Sequence, residues 1–404
     1  MYDALVIGAR CAGAATAMLL ARRGHKVLLL DRSAFPSDIP HGHFIHRQGP
    51  AYLHRWGLLE QVVSSGCPAV DHVISDFGDF PLECEDVRVG DVAFGYGPRR
   101  RILDAILVDA AVAAGAEFRP HCAVENLLAS GDSVGGVRCR DTRTQTVSEE
   151  RARLTIGADG RNSPLARAVQ APVYDAVPAL TCYYFSYWAD VPGRGLELYL
   201  RDKHVIFAFP TNGSLFAIFA GWPVQEFPKI KSGVKRRFLQ ALDAVPALAE
   251  RVRCGRRAER FYGTADLPNF FRKPIGPGWA LVGDAGHHKD PFLALGVRDA
   301  FAQAELLAEA AHGAFSGVRD FDDALRDYER VRNESSIASY RLNLDRAAFL
   351  PAPRELLGLR TALRGHKEDA TRFWLAEQGM IPREEFFNPG NIERLQSRMA
   401  HSAS

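Results

Sequence analysis

The first apolar run of the chain, Ala4-Leu5-Val6-Ile7, has no polar interruption and stops at Gly8, the pattern of a strand buried on both faces of a parallel sheet. Residues Ala12 to Arg23 are good helix formers closed by Gly24, and Val27-Leu28-Leu29-Leu30 repeats the buried-strand pattern up to Asp31. Together they predict one βαβ unit of about thirty residues. A second helix is predicted from Arg100 to Gly115, because Leu103, Ile106, Leu107 and Ala110 recur at helical spacing. Strand-like Ala116-Glu117-Phe118 follows, and later Leu154-Thr155-Ile156 runs into a turn of small residues, Gly157-Ala158-Asp159-Gly160.

Between roughly Pro172 and Arg272 the texture becomes aromatic and alternating. Tyr183 to Trp188, Leu196 to Leu200, Val205 to Phe209 and Leu215 to Phe219 are separated by Gly, Pro and Asn, which predicts antiparallel strands. The buried-strand pattern returns in Trp279-Ala280-Leu281-Val282, then Gly283-Asp284 and an alanine-rich helix from about Val297 to Ala311. After about Asp320 the chain reads as helical to Leu375, with Pro351 and Pro353 as breakers, and the residues from His401 read as frayed. No internal repeat stands out.

A length of 404 residues suits two domains or one large interleaved one. A composition 47% hydrophobic and 24% charged excludes disordered, collagenous and disulfide-scaffold classes. The net charge of +2 argues against a nucleic-acid partner, short basic runs at Arg99 to Arg101 and Lys235 to Arg237 reading as solvated faces. Seven cysteines, scattered and never in Cys-x-x-Cys spacing, give neither a disulfide framework nor a zinc site, so no metal is expected. With no signal-peptide pattern and no apolar stretch of transmembrane length, the expected location is the cytoplasm.

The chemistry-bearing motifs follow the buried strands. Gly8-Ala9-Arg10-Cys11-Ala12-Gly13 has the first and third glycines of the dinucleotide fingerprint, used for the tight turn and for close helix packing. Arg10 occupies the second position, where a side chain stands in the way of the diphosphate unless it swings out and pairs with phosphate. Asp31 ends the second strand about twenty residues on, placed to accept from ribose hydroxyls, with Arg32 beside it to flank an adenine. Gly157-Ala158-Asp159-Gly160 in the middle, Gly283-Asp284-Ala285-Gly286-His287 late and Arg100-x-x-Leu103 between the first two complete the order.

This combination resembles the FAD-dependent monooxygenases of the para-hydroxybenzoate hydroxylase type, whose outline geranylgeranyl reductases and flavin halogenases share. The resemblance covers about residues 1 to 330. It implies an α/β fold, in which a Rossmann-like FAD-binding domain (1–75, 100–171 and 273–330) is interleaved with an antiparallel β-sheet substrate domain (76–99 and 172–272) and followed by a helical C-terminal segment (331–404). It further implies that the turn from Gly8 through Arg10, Cys11, Ala12 and Gly13 binds FAD with Asp31 and Arg32. Arg100 would meet the diphosphate or ribityl region, Asp159 and Gly160 the middle motif tied to FAD and NAD(P)H use, and Gly283 and Asp284 the ribityl hydroxyls. Pro291, Gly296 and Val297 would lie against the isoalloxazine, where backbone N–H groups and the helix dipole stabilise negative charge on reduced flavin. The late loop departs from the hydroxylases, with Ala294-Leu295-Gly296 in place of Gly-Gln-Gly, and Asp290-Pro291 is closer to the reductases and halogenases.

The implied reaction is transfer of one oxygen atom from O2 to an aromatic or polyketide-like small molecule, with NAD(P)H as electron donor and the protein a monomer or homodimer. A reductase of prenyl-chain double bonds is the alternative, since it needs the same FAD site. A halogenase is disfavoured by the missing Trp-x-Trp-x-Ile motif and by Lys26 being the only lysine before Lys203, and a chain that has lost its chemistry is the remaining possibility. Among His41, His43 and His46, His43 is the expected proton carrier. His287 and His288 are expected to hold their loop. The expected substrate-facing residues are Tyr187, Phe207, Phe209 and Phe219, drawn with Tyr184 and Trp188 from the aromatic sheet, and alternation puts Phe207 and Phe209 on one face.

Overall fold

The computed structural model describes residues 1–402. Strand β1 (Tyr2–Ile7), helix α1 (Cys11–Arg22) and strand β2 (Val27–Leu30) form the expected unit, and helix α2 (Arg100–Ala113) follows. The long strand β3 (Val147–Gly157) runs parallel to β1 on the side opposite β2. The aromatic region supplies β4 (Thr181–Ala189), β5 (His204–Thr211) and β6 (Leu215–Pro223); then come β7 (Trp279–Leu281), α3 (Gly296–Phe315) and α4 (Phe321–Ala347).

The first sheet has a parallel core in the order Glu117–Arg119, β2, β1, β3, β7. Antiparallel strands Cys122–Ser130 and Ser133–Asp141 extend it beside the outer half of β3. Helix α1 is buried almost all round, because Ala12, Ala14, Ala15, Ala17 and Met18 are small or unbranched enough to sit between this sheet, α2 and α3.

In the second sheet β4, β6 and β5 pair antiparallel in that order, then Leu196–Arg201, Val73–Asp76 and Pro81–Cys84. The expected antiparallel pattern breaks once, since Leu196–Arg201 runs parallel to Val73–Asp76. That strand also moves a boundary: the division expected between residues 75 and 76 cuts through it, and it pairs within the aromatic sheet. Likewise α4 runs unbroken through residue 331, where a separate segment was expected to begin.

The C-terminal helices Arg354–Leu363 and Lys367–Glu377 pack on the aromatic sheet through Leu363, Phe373 and Trp374. The last helix, Pro389–Ser402, continues through His401, so fraying does not begin there; residues 403 and 404 lie outside the described residues. Among the described residues no helix is long and apolar enough to cross a membrane.

Candidate active site

Three motifs that lie far apart in the chain meet at the turn after β1. Gly8 has φ +100°, and a Cβ there would stand 2.5 Å from the Ala158 carbonyl oxygen and 3.2 Å from the Asp159 Cα. Gly13 touches the same turn, since its Cβ would come to 1.8 Å from the Gly8 oxygen. From the other side Gly283, at φ +63°, leaves room for only 2.8 Å between an added Cβ and the Ala12 methyl. The first, middle and late motifs are therefore in van der Waals contact, and glycine is required where they touch.

The turn is braced by Asp31, whose two carboxylate oxygens accept from the Ala9 N–H at 2.9 Å and the Ser33 N–H at 2.8 Å. Arg32 is exposed beside it. Arg10 takes extended backbone geometry and is the N-cap residue of α1, but its side chain makes no capping bond. Its guanidinium is turned onto Asp104 at 2.8 Å, onto the Ser37 carbonyl and hydroxyl at 3.0 Å each, and over the Phe35 ring. The side chain thus stands clear of the glycine turn and the first N–H groups of α1 remain uncapped, as an anion-binding helix start requires. Cys11 and Ala12 are buried as the first helical residues, and burial pushes the Cys11 thiol up to about 12.

Asp104 is the residue that reading by motif missed, although its i, i+4 spacing from Arg100 was a signal. It is 1% exposed and accepts from Arg10 and from Arg100 at 3.0 and 3.2 Å. Burial alone would depress the Arg100 guanidinium, but Asp104, assisted by Cys11 and Asp284, raises it. Two arginines on one carboxylate leave one positive charge over, which suits a neighbouring diphosphate. Asp104→Ala strands buried Arg100 and is expected to cost about 3–5 kcal/mol, read as a lowered urea midpoint.

The remaining motif residues keep unspent hydrogen-bonding capacity. Asp159 takes the Leu165 N–H at 3.2 Å on one oxygen; the other is buried without a partner, and burial raises its carboxyl. Gly160 turns the chain with φ +79°. Asp284 is half-buried, and among the described residues its carboxylate has no hydrogen bond or ion pair. Helix α3 starts at Gly296 with no side-chain cap on Leu295; an added Cβ at Gly296 would meet nothing within 4 Å, while Val297 is buried. Pro291 is exposed in the loop before it. Two uncapped helix starts, a free carboxylate and open space at Gly296 fit an extended FAD with diphosphate at one end and ring at the other.

The loop that carries Pro291 is held by Asp290, another group that the motifs did not reveal. Its carboxylate accepts from Thr181 Oγ1 at 2.5 Å and from the Phe292 N–H at 3.0 Å, yet burial pushes it up to about 6. A carboxyl raised in the fold above its unfolded value gives stability that is full below about pH 4 and is lost as pH rises through about 6. Asp290→Asn is expected to flatten this decline, at ~1.4 kcal/mol per pH unit between about 4 and 6, in urea midpoints measured across that range.

His43 is 1% exposed, and its Nδ1 lies 3.1 Å from the Gly97 carbonyl oxygen, which can only accept. Nδ1 therefore holds the ring proton and Nε2 accepts from the Tyr187 hydroxyl at 3.0 Å. Burial, reinforced by Arg99, pushes His43 down to about 3. His43, the expected proton carrier, thus holds Tyr187 through Nε2. Arg99 lies over the Tyr187 ring at 4.0 Å. His46 donates from Nε2 to the Leu293 oxygen at 2.8 Å and is likewise pushed down to about 3 by burial, while His41 is exposed.

Phe209 stacks on Phe219 at 5.7 Å and meets His43 edge-on at 5.1 Å; Phe207, opposite Phe219 in the register, meets Phe292 at 6.0 Å. Phe207 and Phe209 thus pack on different neighbours along one sheet face. His287 stacks on Phe271 at 4.2 Å and His288 bonds the Pro268 oxygen, so both hold the late loop.

Fold and site together define an FAD-dependent oxidoreductase. Residues 1–229 match the model of the FAD binding domain family, and the chain belongs to that family. Among curated relatives it is 27% identical over 334 residues to a digeranylgeranylglycerophospholipid reductase of Methanosarcina mazei, covering 78% of this chain and 76% of the relative. It is 25% identical over 369 residues to a kynurenine 3-monooxygenase of Xanthomonas campestris pv. campestris, covering 84% and 77%. A p-nitrophenol 4-monooxygenase from Pseudomonas putida has the same fold, with a TM-score of 0.79 at 16% identity over 94% of this chain and 98% of that one. A myxobacterial FAD-dependent halogenase shares it too, so the fold does not select the reaction.

Proposed function

We propose that the chain is a monooxygenase that uses NAD(P)H and O2 to place one oxygen atom on an aromatic or polyketide-like small molecule. The observation that carries this reading is the aromatic face of the second sheet, where Phe185, Phe219 and Phe209 stack in series beside the Tyr187–His43 pair. Flat electron-rich rings can stack on such a wall.

Bound FAD supplies hydride acceptance from nicotinamide and activation of oxygen. The N–H groups at the start of α1 would hold its diphosphate, with the surplus charge of Arg10, Arg100 and Asp104 behind them. Asp31 would meet the adenosine ribose and Asp284 the ribityl hydroxyls. The first N–H groups of α3, at Gly296 and Val297, would stabilise negative charge on the reduced ring. On the substrate side the aromatic face excludes water. Tyr187, its proton committed to His43, keeps oxygen lone pairs with which to accept from a substrate hydroxyl and orient it.

Anaerobic mixing with NADH or NADPH, followed by 18O2 and a panel of phenols and fused aromatics, tests the reading. Product carrying one 18O atom is expected. Product that instead gains two hydrogens at an isolated alkene, with no oxygen consumed, replaces it with the prenyl reductase. That second reading has the Asp290-Pro291 loop and the Methanosarcina relative in its favour.

A further inference from the structure

The loop after the histidine segment carries a concentration of unmet hydrogen-bonding groups. Among the described residues, Arg47 NH2, Arg298 Nε, Gln48 Oε1 and His46 Nδ1 are all buried without a partner. The two donors belong to neighbouring elements: a Cβ on Gly49, next in the loop, would come to 3.5 Å from the Arg298 Cβ. Arg47 is 7% exposed, and among the described residues its side chain hydrogen-bonds from Nε to neutral Gln378 at 3.0 Å.

The charges around these donors do not balance. Asp299 is the buried carboxylate of the cluster; it is ion-paired with Lys289 and with Arg298 NH1, and among the described residues its Oδ2 is a further buried atom without a hydrogen bond. Glu377 stands further out and is engaged by Arg383 at 2.6 Å and Arg346 at 3.6 Å. Arg47 is pushed down to about 10, first by burial and then by Arg298. It is also held at φ +57°, a left-handed conformation costing a residue with a Cβ ~1–2 kcal/mol and retained where the surroundings or function require it.

Asp299 and Glu377 act on Arg47 only from a distance, a buried guanidinium nitrogen with no acceptor is costly, and the planar fork of a guanidinium matches a carboxylate. We infer that Arg47 and Arg298 form a carboxylate-binding site between the 46–49 loop, the first turn of α3 and the 377–379 segment. The unpaired acceptors on His46 and Gln48 take water or a hydroxyl or amino group next to the carboxylate. The carboxylate belongs either to the aromatic substrate or to a free small acid, and the site stands whether or not the oxygenation reading does.

The test uses FAD-loaded protein titrated with sodium benzoate, sodium acetate and neutral benzamide at constant ionic strength, read by melting temperature and flavin absorbance. Benzoate is expected to raise the melting temperature and benzamide to leave it unchanged. Arg47→Gln and Arg298→Gln are each expected to weaken benzoate at least ~tenfold, about one charge-assisted bond. Arg47→Lys and Arg298→Lys, which keep the charge but lose the fork, give the same direction if the glutamine variants do not fold. A shift with benzoate alone, accompanied by a change in flavin absorbance, identifies the carboxylate as part of the substrate. An equal shift with acetate identifies a free acid. No shift with either salt, or shifts unchanged in the arginine variants, overturns the site.

Discussion

Gly13→Val is expected to yield colourless protein. The valine Cβ would lie 1.8 Å from the Gly8 oxygen and 2.9 Å from the Ala158 methyl. The Gly8 oxygen cannot yield, because Gly8 is itself fixed against Ala158 and donates its N–H to Leu30 at 2.7 Å. Helix α1 must withdraw from the turn, taking with it the N–H groups that would meet the diphosphate. A loss of about 3 kcal/mol or more in stability, and of FAD affinity by ~100-fold or more, is expected. The flavin-to-protein absorbance ratio and the urea midpoint measure both. Gly42→Ala is the control, since nothing lies within 4 Å of its Cβ position, and it should match the parent. Stoichiometric FAD in Gly13→Val would show that the close approach is not needed.

Arg332→Ala is expected to have the second largest effect, far from any motif. Arg332 is 0% exposed in α4, and among the described residues no carboxylate pairs with it. NH1 donates to the Gly286 oxygen at 3.1 Å; NH2 donates to the Tyr174 hydroxyl at 2.9 Å and to the Arg272 oxygen at 3.0 Å. One side chain thus ties α4 to the loop that presents Asp284 and to the strand beside it. Truncation leaves a large cavity and strands the Arg272 oxygen, at a cost of about 3–5 kcal/mol. FAD affinity should fall with stability, because the late motif loses its anchor. A variant with normal thermal stability but poor FAD retention would separate anchoring from folding; one normal in both would refute the role.

The motifs were legible because each depends on a local condition. Gly8 and Gly160 need positive φ, the apolar runs at Ala4 and Val27 need burial on both faces, and α1 needs small side chains. Such conditions appear directly in residue type and spacing. The parallel pairing of Val73–Asp76 in the aromatic sheet was not legible, since strand partners far apart in the chain are chosen by tertiary packing. The burial of His43 was not legible for the same reason: a histidine in a Gly- and Pro-containing loop reads as accessible, and only the fold closes Tyr187, Phe209 and Gly97 over it.

Arg10 shows where the division falls. Sequence alone determined that the fingerprint carries an arginine in place of its second glycine, and that the chain belongs with dinucleotide-binding folds. Only the tertiary structure decided where that side chain goes, because its partners Ser37 and Asp104 come from a loop and a helix that folding brings to it. The same holds for Arg332, Asp290 and the Arg47–Arg298 pair. A turn or a buried strand is set by the conformations open to a few consecutive residues, whereas a buried charge is defined by whatever distant groups surround it.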